Sequence, residues 1–231
     1  MEARSIAIDG PSGAGKSTLA RLAAKKLGMI YADTGALYRA VGLCALRRGV
    51  SSKDARSVSA LLPEIELEMI YDGAGAQRML LCGEDVTDEI RAPEASIYAS
   101  DVSAFPEVRA FLLQTQRDMA ARRDVIMDGR DIGTVVLPNA GVKIFLTAQP
   151  EIRARRRYDE LVASGRDVTY ADVLRDINYR DANDSSRASA PLRAAPDSIV
   201  FDTSAIGLEE SFFRLLEIIS ERLCVKNDAA V

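Results

Sequence analysis

A strand-forming run that empties into a glycine-rich turn and then a helix start constrains this chain more than any other stretch. Ser5-Ile6-Ala7-Ile8-Asp9 reads as a buried strand and leads directly into Gly10-Pro11-Ser12-Gly13-Ala14-Gly15-Lys16-Ser17. Every fixed position of the pattern G-x-x-x-x-G-K-[ST] is filled. Glycines let the backbone turn tightly enough for successive N–H groups to converge on an anion. Lys16 adds a point charge for the outer phosphates of a nucleotide, and Ser17 a hydroxyl for Mg²⁺. Thr18 lies in the first turn of the helix that follows, whose N-terminal dipole favours the same negative charge. Leu19, Leu22, Ala23 and Leu27 predict one apolar helix face, and Gly28 a C-terminal cap. The motif in this setting predicts a nucleoside triphosphate site built from residues 10–18.

Composition narrows the chemistry around that site. The chain has 231 residues, 48% of them hydrophobic, which suits one domain with insertions and a substantial core. It contains no histidine, so an imidazole base, a phosphohistidine or a His-ligated metal is excluded. Phosphoryl transfer survives that exclusion, because it depends on positioning and charge stabilisation. A net charge of −4 argues against a general nucleic-acid binder. No apolar run approaches the roughly 20 residues that cross a bilayer. Met1-Glu2-Ala3-Arg4 leads straight into the first strand, which leaves no room for a signal peptide. Cys44, Cys82 and Cys224 are scattered, without metal-ligand spacing, and read as reduced thiols filling the core of a cytoplasmic protein.

Short apolar runs recur between helical patterns: Met29-Ile30-Tyr31, Val125-Ile126-Met127, Val142-Lys143-Ile144-Phe145-Leu146 and Ser198-Ile199-Val200-Phe201. Each ends at or near a polar residue, namely Asp33, Asp128, Thr147 and Asp202. This alternation predicts an α/β fold with a parallel sheet covered on both faces and its ligands at the carboxyl ends of the strands. Two segments depart from it. Residues 64–91 place Ile65, Leu67, Met69 and Tyr71 at alternating positions before Asp72-Gly73-Ala74-Gly75 and Met79-Leu80-Leu81, which predicts an inserted hairpin. Residues 150–191 are crowded with arginine, with Pro150 placed to open a helix. Within that segment Arg155 and Arg156 fit either a solvated helix face or a functional one. The C-terminal run Phe212, Phe213, Leu215, Leu216, Ile218 and Ile219 reads as a packing helix.

A phosphate loop alone does not separate ATPases, GTPases and kinases, and no Asn-Lys-x-Asp guanine-reading element is present. Three basic clusters on different elements say more. Asp33-Thr34-Gly35-Ala36-Leu37-Tyr38-Arg39 follows the second strand and opens a helix, and Asp128-Gly129-Arg130-Asp131 follows the third. Arg180, Asp181, Asp184 and Arg187 fall near one face at helical spacing. An ATPase needs one arginine to steady the transferring group; three clusters point to a second phosphorylated ligand opposite the triphosphate. Each cluster also admits a plain ion-pair role.

These motifs resemble the bacterial cytidylate kinases, of the nucleoside monophosphate kinase family, over nearly the whole chain. Besides the phosphate loop and the segment 33–39, the likeness includes Gly83-Glu84-Asp85-Val86-Thr87-Asp88-Glu89-Ile90-Arg91, Ala104-Phe105-Pro106, Val108-Arg109 and Arg187-x-x-Ala190-Pro191-Leu192. Its most specific part is Asp128-Gly129-Arg130-Asp131-Ile132-Gly133-Thr134-Val135-Val136.

The resemblance implies a three-layer α/β phosphate-loop fold with a core of 1–38, 104–149 and 192–231. A monophosphate-binding region would occupy 39–103, including the hairpin at about 64–91, and a helical lid 150–191. It implies transfer of the γ-phosphoryl group of Mg·ATP to CMP, and to dCMP, by a monomer with no nucleic-acid or membrane partner. Arg153 and Arg157 would join residues 10–18 at ATP, and Asp128 would reach the Mg²⁺ on Ser17 through water. Arg39, Arg130 and Arg187 would hold the acceptor phosphate; Ser100, Arg109 and Asp131 would read cytosine; Asp184 would meet the ribose. Thr34, Tyr38 and Arg180 would complete the acceptor site, with Lys16, Asp128, Arg130 and Arg187 as the catalytic set. A kinase acting on UMP or on a phosphate-free alcohol, and a nucleotide-switched regulator, remain the alternatives from the residues alone.

Overall fold

The computed structural model describes residues 3–73 and 75–228, the last five by backbone alone. The chain begins with β1 (Ser5–Asp9), α1 (Lys16–Leu27), β2 (Ile30–Asp33), α2 (Thr34–Arg47) and α3 (Ala55–Leu61). Next come β3 (Leu67–Tyr71), β4 (Gln77–Leu81), β5 (Glu84–Asp85), α4 (Pro93–Val102) and α5 (Pro106–Arg122). It continues with β6 (Val125–Gly129), a π-turn at Ile132–Val136, β7 (Val142–Thr147), α6 (Pro150–Ala163), α7 (Tyr170–Ser186), β8 (Ile199–Asp202) and α8 (Leu208–Asp228).

Five strands form one parallel sheet in the order β2-β6-β1-β7-β8. β1 lies at its centre, and Ile6, Ala7 and Ile8 are fully buried because helices cover both faces. On one face Ile6, Ile8, Ile126 and Ile144 pack with Leu19 and Ala23 of α1 and Leu215 and Ile219 of α8. On the other, Ala7, Ala32 and Met127 pack with Ala120 of α5 and with Ile132 and Val136 of the π-turn. The three layers expected from the alternating pattern are therefore present. Since neighbouring β1 and β6 run parallel, the loops after Asp9 and Gly129 emerge side by side.

Some sequence expectations shift. The buried stripe of α1 runs through Leu19, Ala20, Ala23 and Ala24, so its centre lies away from Leu22, which is exposed. Gly28 does cap the helix in the left-handed region, its N–H donating to Ala24 O. Phe213 of α8 is exposed, unlike Leu215 and Ile219. Cys44 is buried as expected, but Cys82 is exposed in the turn between β4 and β5, so it is not core filler; the Cys224 side chain lies outside the described residues.

The predicted hairpin gains a third strand, with β3, β4 and β5 forming an antiparallel sheet; Ala74 in its turn lies outside the described residues. Two polar side chains dock this insert on the end of β2. Tyr71 OH donates to Tyr31 O at 2.8 Å, and Gln77 Oε1 accepts from Asp33 N at 2.8 Å. α2 runs unbroken across residue 39, and its apolar face shares a core with Met79 and Leu81 of β4 and Leu112 of α5.

Pro150 does open α6, which pairs with α7 around a small core of Ala154, Leu161, Val173 and Ile177. Of the two ambiguous arginines, Arg155 stays exposed beside Tyr158 and Tyr170. Arg156 instead donates to Thr203 O at 2.7 Å and ties α6 to the segment after β8. Arg187 lies just past the end of α7 with extended backbone, so it does not continue that helical face. Among the described residues no helix is long and apolar enough to cross a membrane.

Candidate active site

The phosphate loop joins β1 to α1, and two of its glycines are required by geometry. A Cβ on Gly10 would lie 1.9 Å from Leu146 O of β7, and Gly15 caps α1 with φ 90°. Lys16 is 5% exposed, and its ammonium donates to Pro11 O at 2.8 Å. Burial, reinforced by the charge of Arg130, pushes its pKa down to about 7. Asp128 and Asp9 offset this only in part, and a bound phosphate would supply a closer anion.

Beside it, at the end of β6, Asp128 is 3% exposed and accepts from Ser17 Oγ at 2.8 Å and from Tyr31 OH at 3.0 Å. Burial raises its pKa to about 6, and the nearby Asp33 carboxylate adds to the rise. The Ser17–Asp128 pair offers one hydroxyl and one carboxylate, and no group of three or more His, Cys, Asp or Glu exists among the described residues to cage an ion. Such a sparse oxygen set fits Mg²⁺, which binds through one or two carboxylates and completes its shell with phosphates and waters.

On the other side of β6 lies a cleft enclosing about 420 Å³ of empty space, part of it open to solvent. Of the residues expected at the acceptor, Thr34, Tyr38, Ser100, Arg109, Arg130, Asp131, Arg180, Asp184 and Arg187 all line it, and Arg39 alone does not. They come from α2, α4, α5, the loop after β6, α7 and the segment after it, so only the folded chain brings them together. Arg130 Nε donates to Asp184 Oδ2 at 2.7 Å, and Arg187 Nη1 to Ser103 Oγ at 2.9 Å. Burial works against the charge of Asp184, but Arg130, Arg187 and Arg180 hold its pKa below the usual carboxylate range. Arg109 is paired with Asp131, both nearly buried, and its guanidinium lies 5.6 Å from the Tyr38 ring centroid.

Arg39 is held by Asp33 at 2.6 Å. Burial opposes the charge of Asp33, yet Arg39 keeps its pKa below the usual value. Among the described residues three buried guanidinium nitrogens find no acceptor: Nε of Arg39, Nε of Arg180 and Nη2 of Arg187. Burial, and then the charge of Arg130, brings Arg180 down to about 10. Unpaired buried donors of this kind are costly, and an anion in the cleft would relieve those of Arg180 and Arg187, which line it.

The two lid arginines expected at ATP are placed differently. Arg153 is enclosed: Nε donates to Ala148 O at 2.7 Å, Nη1 to Ser12 O at 2.9 Å, and Nη2 meets Asp181 at 2.5 Å. It braces the phosphate loop against α7. Arg157 is partly exposed and pairs with Glu160 at 2.9 Å.

Residues 6–221 match the cytidylate kinase family. The chain belongs to that family. It is 50% identical over 218 residues to a cytidylate kinase of Caldicellulosiruptor saccharolyticus, covering 94% of this chain and 96% of that one. To the cytidylate kinase of Caldicellulosiruptor bescii it is 49% identical over 229 residues, covering 99% and 100%. Among solved structures, an uncharacterized protein from Eubacterium ventriosum aligns over 95% of this chain and 99% of its own, with a TM-score of 0.52 at 13% identity, a likeness of fold alone.

Two features of this cytidylate kinase family member escaped the sequence reading. Asp9 ends β1 and is 5% exposed; its two oxygens accept from Ile132 N and Gly133 N, each at 2.7 Å. It thereby holds the π-turn that follows Arg130 and Asp131. Burial raises its pKa to about 7 against those two hydrogen bonds. An acid ending an otherwise apolar strand was the available signal. Tyr31, the second partner of Asp128, carried none, since an aromatic residue in a strand reads first as packing.

Proposed function

We propose that this chain transfers the γ-phosphoryl group of ATP to CMP, and to dCMP, giving ADP and CDP or dCDP. The observation that carries this reading is a cleft lined by Arg109, Arg130, Arg180 and Arg187, with unpartnered buried nitrogens on the last two, beside a complete phosphate loop. A simple ATPase has no use for a second cationic cleft. Residues 10–18 would bind the triphosphate, with Lys16 against its outer phosphates. Arg39, Arg130 and Arg187 would hold the acceptor phosphate, Arg180 lying between the two anions.

The acceptor is already an anionic phosphate oxygen, so no general base is needed. The chain must instead neutralise two phosphates that repel each other and exclude water while they meet. Mg²⁺ on Ser17, with Asp128 through water, would add charge neutralisation at the donor phosphates. Cytosine offers an N4 amine as donor and N3 as acceptor, whereas uracil presents the reverse. Asp131 would accept from the amine and Arg109 donate to N3, with the Ser100 hydroxyl adaptable to either role. Each buried mismatch costs about 1–3 kcal/mol, so two predict a preference for CMP over UMP of about 10²-fold or more.

Residues 39–103 and 150–191 would act as acceptor-binding region and lid around a core of 1–38, 104–149 and 192–231, in a cytoplasmic monomer. Coupled ADP release tests the reading. Turnover should require CMP and nearly vanish without it, whereas CMP-independent ADP release would overturn it.

A further inference from the structure

α7 carries two side chains that neither the donor nor the acceptor assignment uses. Tyr179 and Asn183 lie one turn apart and meet two consecutive residues of α4. Tyr179 OH donates to Asp101 Oδ1 at 2.5 Å, and Asn183 Nδ2 to Ser100 Oγ at 3.0 Å. Asp101 is 6% exposed, and its other oxygen accepts from Ser52 Oγ at 2.5 Å. One buried carboxylate thus receives a hydroxyl from α7 and another from the segment before α3, with Lys53 5.6 Å from the Tyr179 ring centroid. Short hydroxyl-to-carboxylate bonds are among the stronger kinds.

The seam these bonds cross is polar. Among the described residues, no apolar cluster contains members of both α4 and α7: α4 packs with α2 and the insert, α7 with α6. A second cavity runs along the same seam, where Pro93 and Ile97 of α4 face Leu161, Val173 and Ile177 across open space. Two separately packed bodies are therefore joined here by directional hydrogen bonds, which can form and break without exposing a core. The bonds stand directly beside the acceptor cleft. Ser100 precedes Asp101, and Arg180 follows Tyr179; both line the cleft, as does Asp184 next to Asn183.

We propose that Tyr179 and Asn183 are positioning residues, which dock α7 on α4 through Asp101 and Ser100 and so set Ser100, Arg180 and Asp184 around the acceptor. This rests on the reading that the cleft takes a nucleoside monophosphate. The docked arrangement is the binding-competent one, so a weaker dock lowers apparent acceptor affinity by the fraction of molecules left undocked.

Tyr179→Phe removes one O–H and keeps the ring. It should lower kcat/KM for CMP about tenfold, the worth of one hydrogen bond to a charged group. ATP affinity in the absence of CMP and the melting temperature should stay as in the wild type. Adding Asp101→Asn to Tyr179→Phe should cost little more, because the bond to Tyr179 is already gone and the amide oxygen can still accept from Ser52. An unchanged kcat/KM, fully additive losses, or an equal loss of ATP affinity or thermal stability would overturn the proposal. Amide hydrogen exchange reads the seam without turnover: α7 should exchange faster in Tyr179→Phe while β1 and β6 do not change. If the wild type failed to make CDP, the acceptor reading would fall, and the exchange rates would still decide whether Tyr179 holds α7. Equal exchange in variant and wild type would mean that it does not.

Discussion

Replacing Arg109 with Met probes fold and substrate choice together. Its guanidinium and the Asp131 carboxylate are 9% and 6% exposed and are paired to each other, with Ser103 O accepting a further bond from Arg109 at 3.3 Å. Burial opposes the arginine's charge, but Tyr38 and Asp131 more than offset this and raise its pKa above the usual value. Met keeps most of the aliphatic stem and leaves Asp131 buried without its cation. Breaking such a pair from one side costs about 3–5 kcal/mol. For a chain of this length that lowers the melting temperature by about 6–20 °C.

The same change removes the donor that would face cytosine N3, so the CMP-to-UMP ratio of kcat/KM should narrow about tenfold. Urea unfolding of Arg109→Met, Asp131→Leu and the double variant separates the two effects. The double variant should return to within about 1 kcal/mol of the wild type, because no unpaired charge remains, yet stay unable to discriminate the bases. Single variants that lose less than about 1 kcal/mol would refute the buried-pair argument, and an unchanged CMP-to-UMP ratio would refute base reading by Arg109.

Lys16→Ala should lower CMP-dependent kcat/KM by at least about 10²-fold, because a desolvated phosphate loses its partner charge. It should not destabilise the fold, since burial already disfavours this ammonium; near-normal turnover would refute the donor assignment. Asp9 gives a pH dependence. Its folded pKa of about 7 lies above the ordinary carboxyl value of 3.8, so the folded state binds the extra proton between those values. The stability that proton confers is complete below the lower value and is lost as pH rises through the upper. Asp9→Asn should flatten the fall in urea midpoint across that window, leaving same-signed contributions from Asp128 and Asp176; an undiminished fall would contradict the assignment.

The parts of this structure that local rules build were legible from the chain. The phosphate loop is written in its glycines, the central strands in continuous apolar runs, and the insert in alternation at Leu67, Met69 and Tyr71. β5 was not legible, because two exposed residues carry no period. Arginine-rich α6 shows the harder limit: Arg153, Arg155 and Arg156 lie within one turn and look alike. Yet one is a buried brace, one a solvated side chain stacked by tyrosines, and one an anchor to backbone carbonyls after β8. What separates them is the neighbour each meets across the fold, which helical spacing cannot reveal. Asp101 and Tyr179 were hidden for the same reason, being 78 residues apart and joined only by tertiary contact.

Label transfer under competition tests the central claim most directly. The chain is supplied with ATP labelled at the γ-phosphoryl group and equal concentrations of CMP and UMP. The account predicts label in CDP over UDP by about 10²-fold or more, with little released as inorganic phosphate. Label appearing mainly as inorganic phosphate, or equally in CDP and UDP, would contradict it.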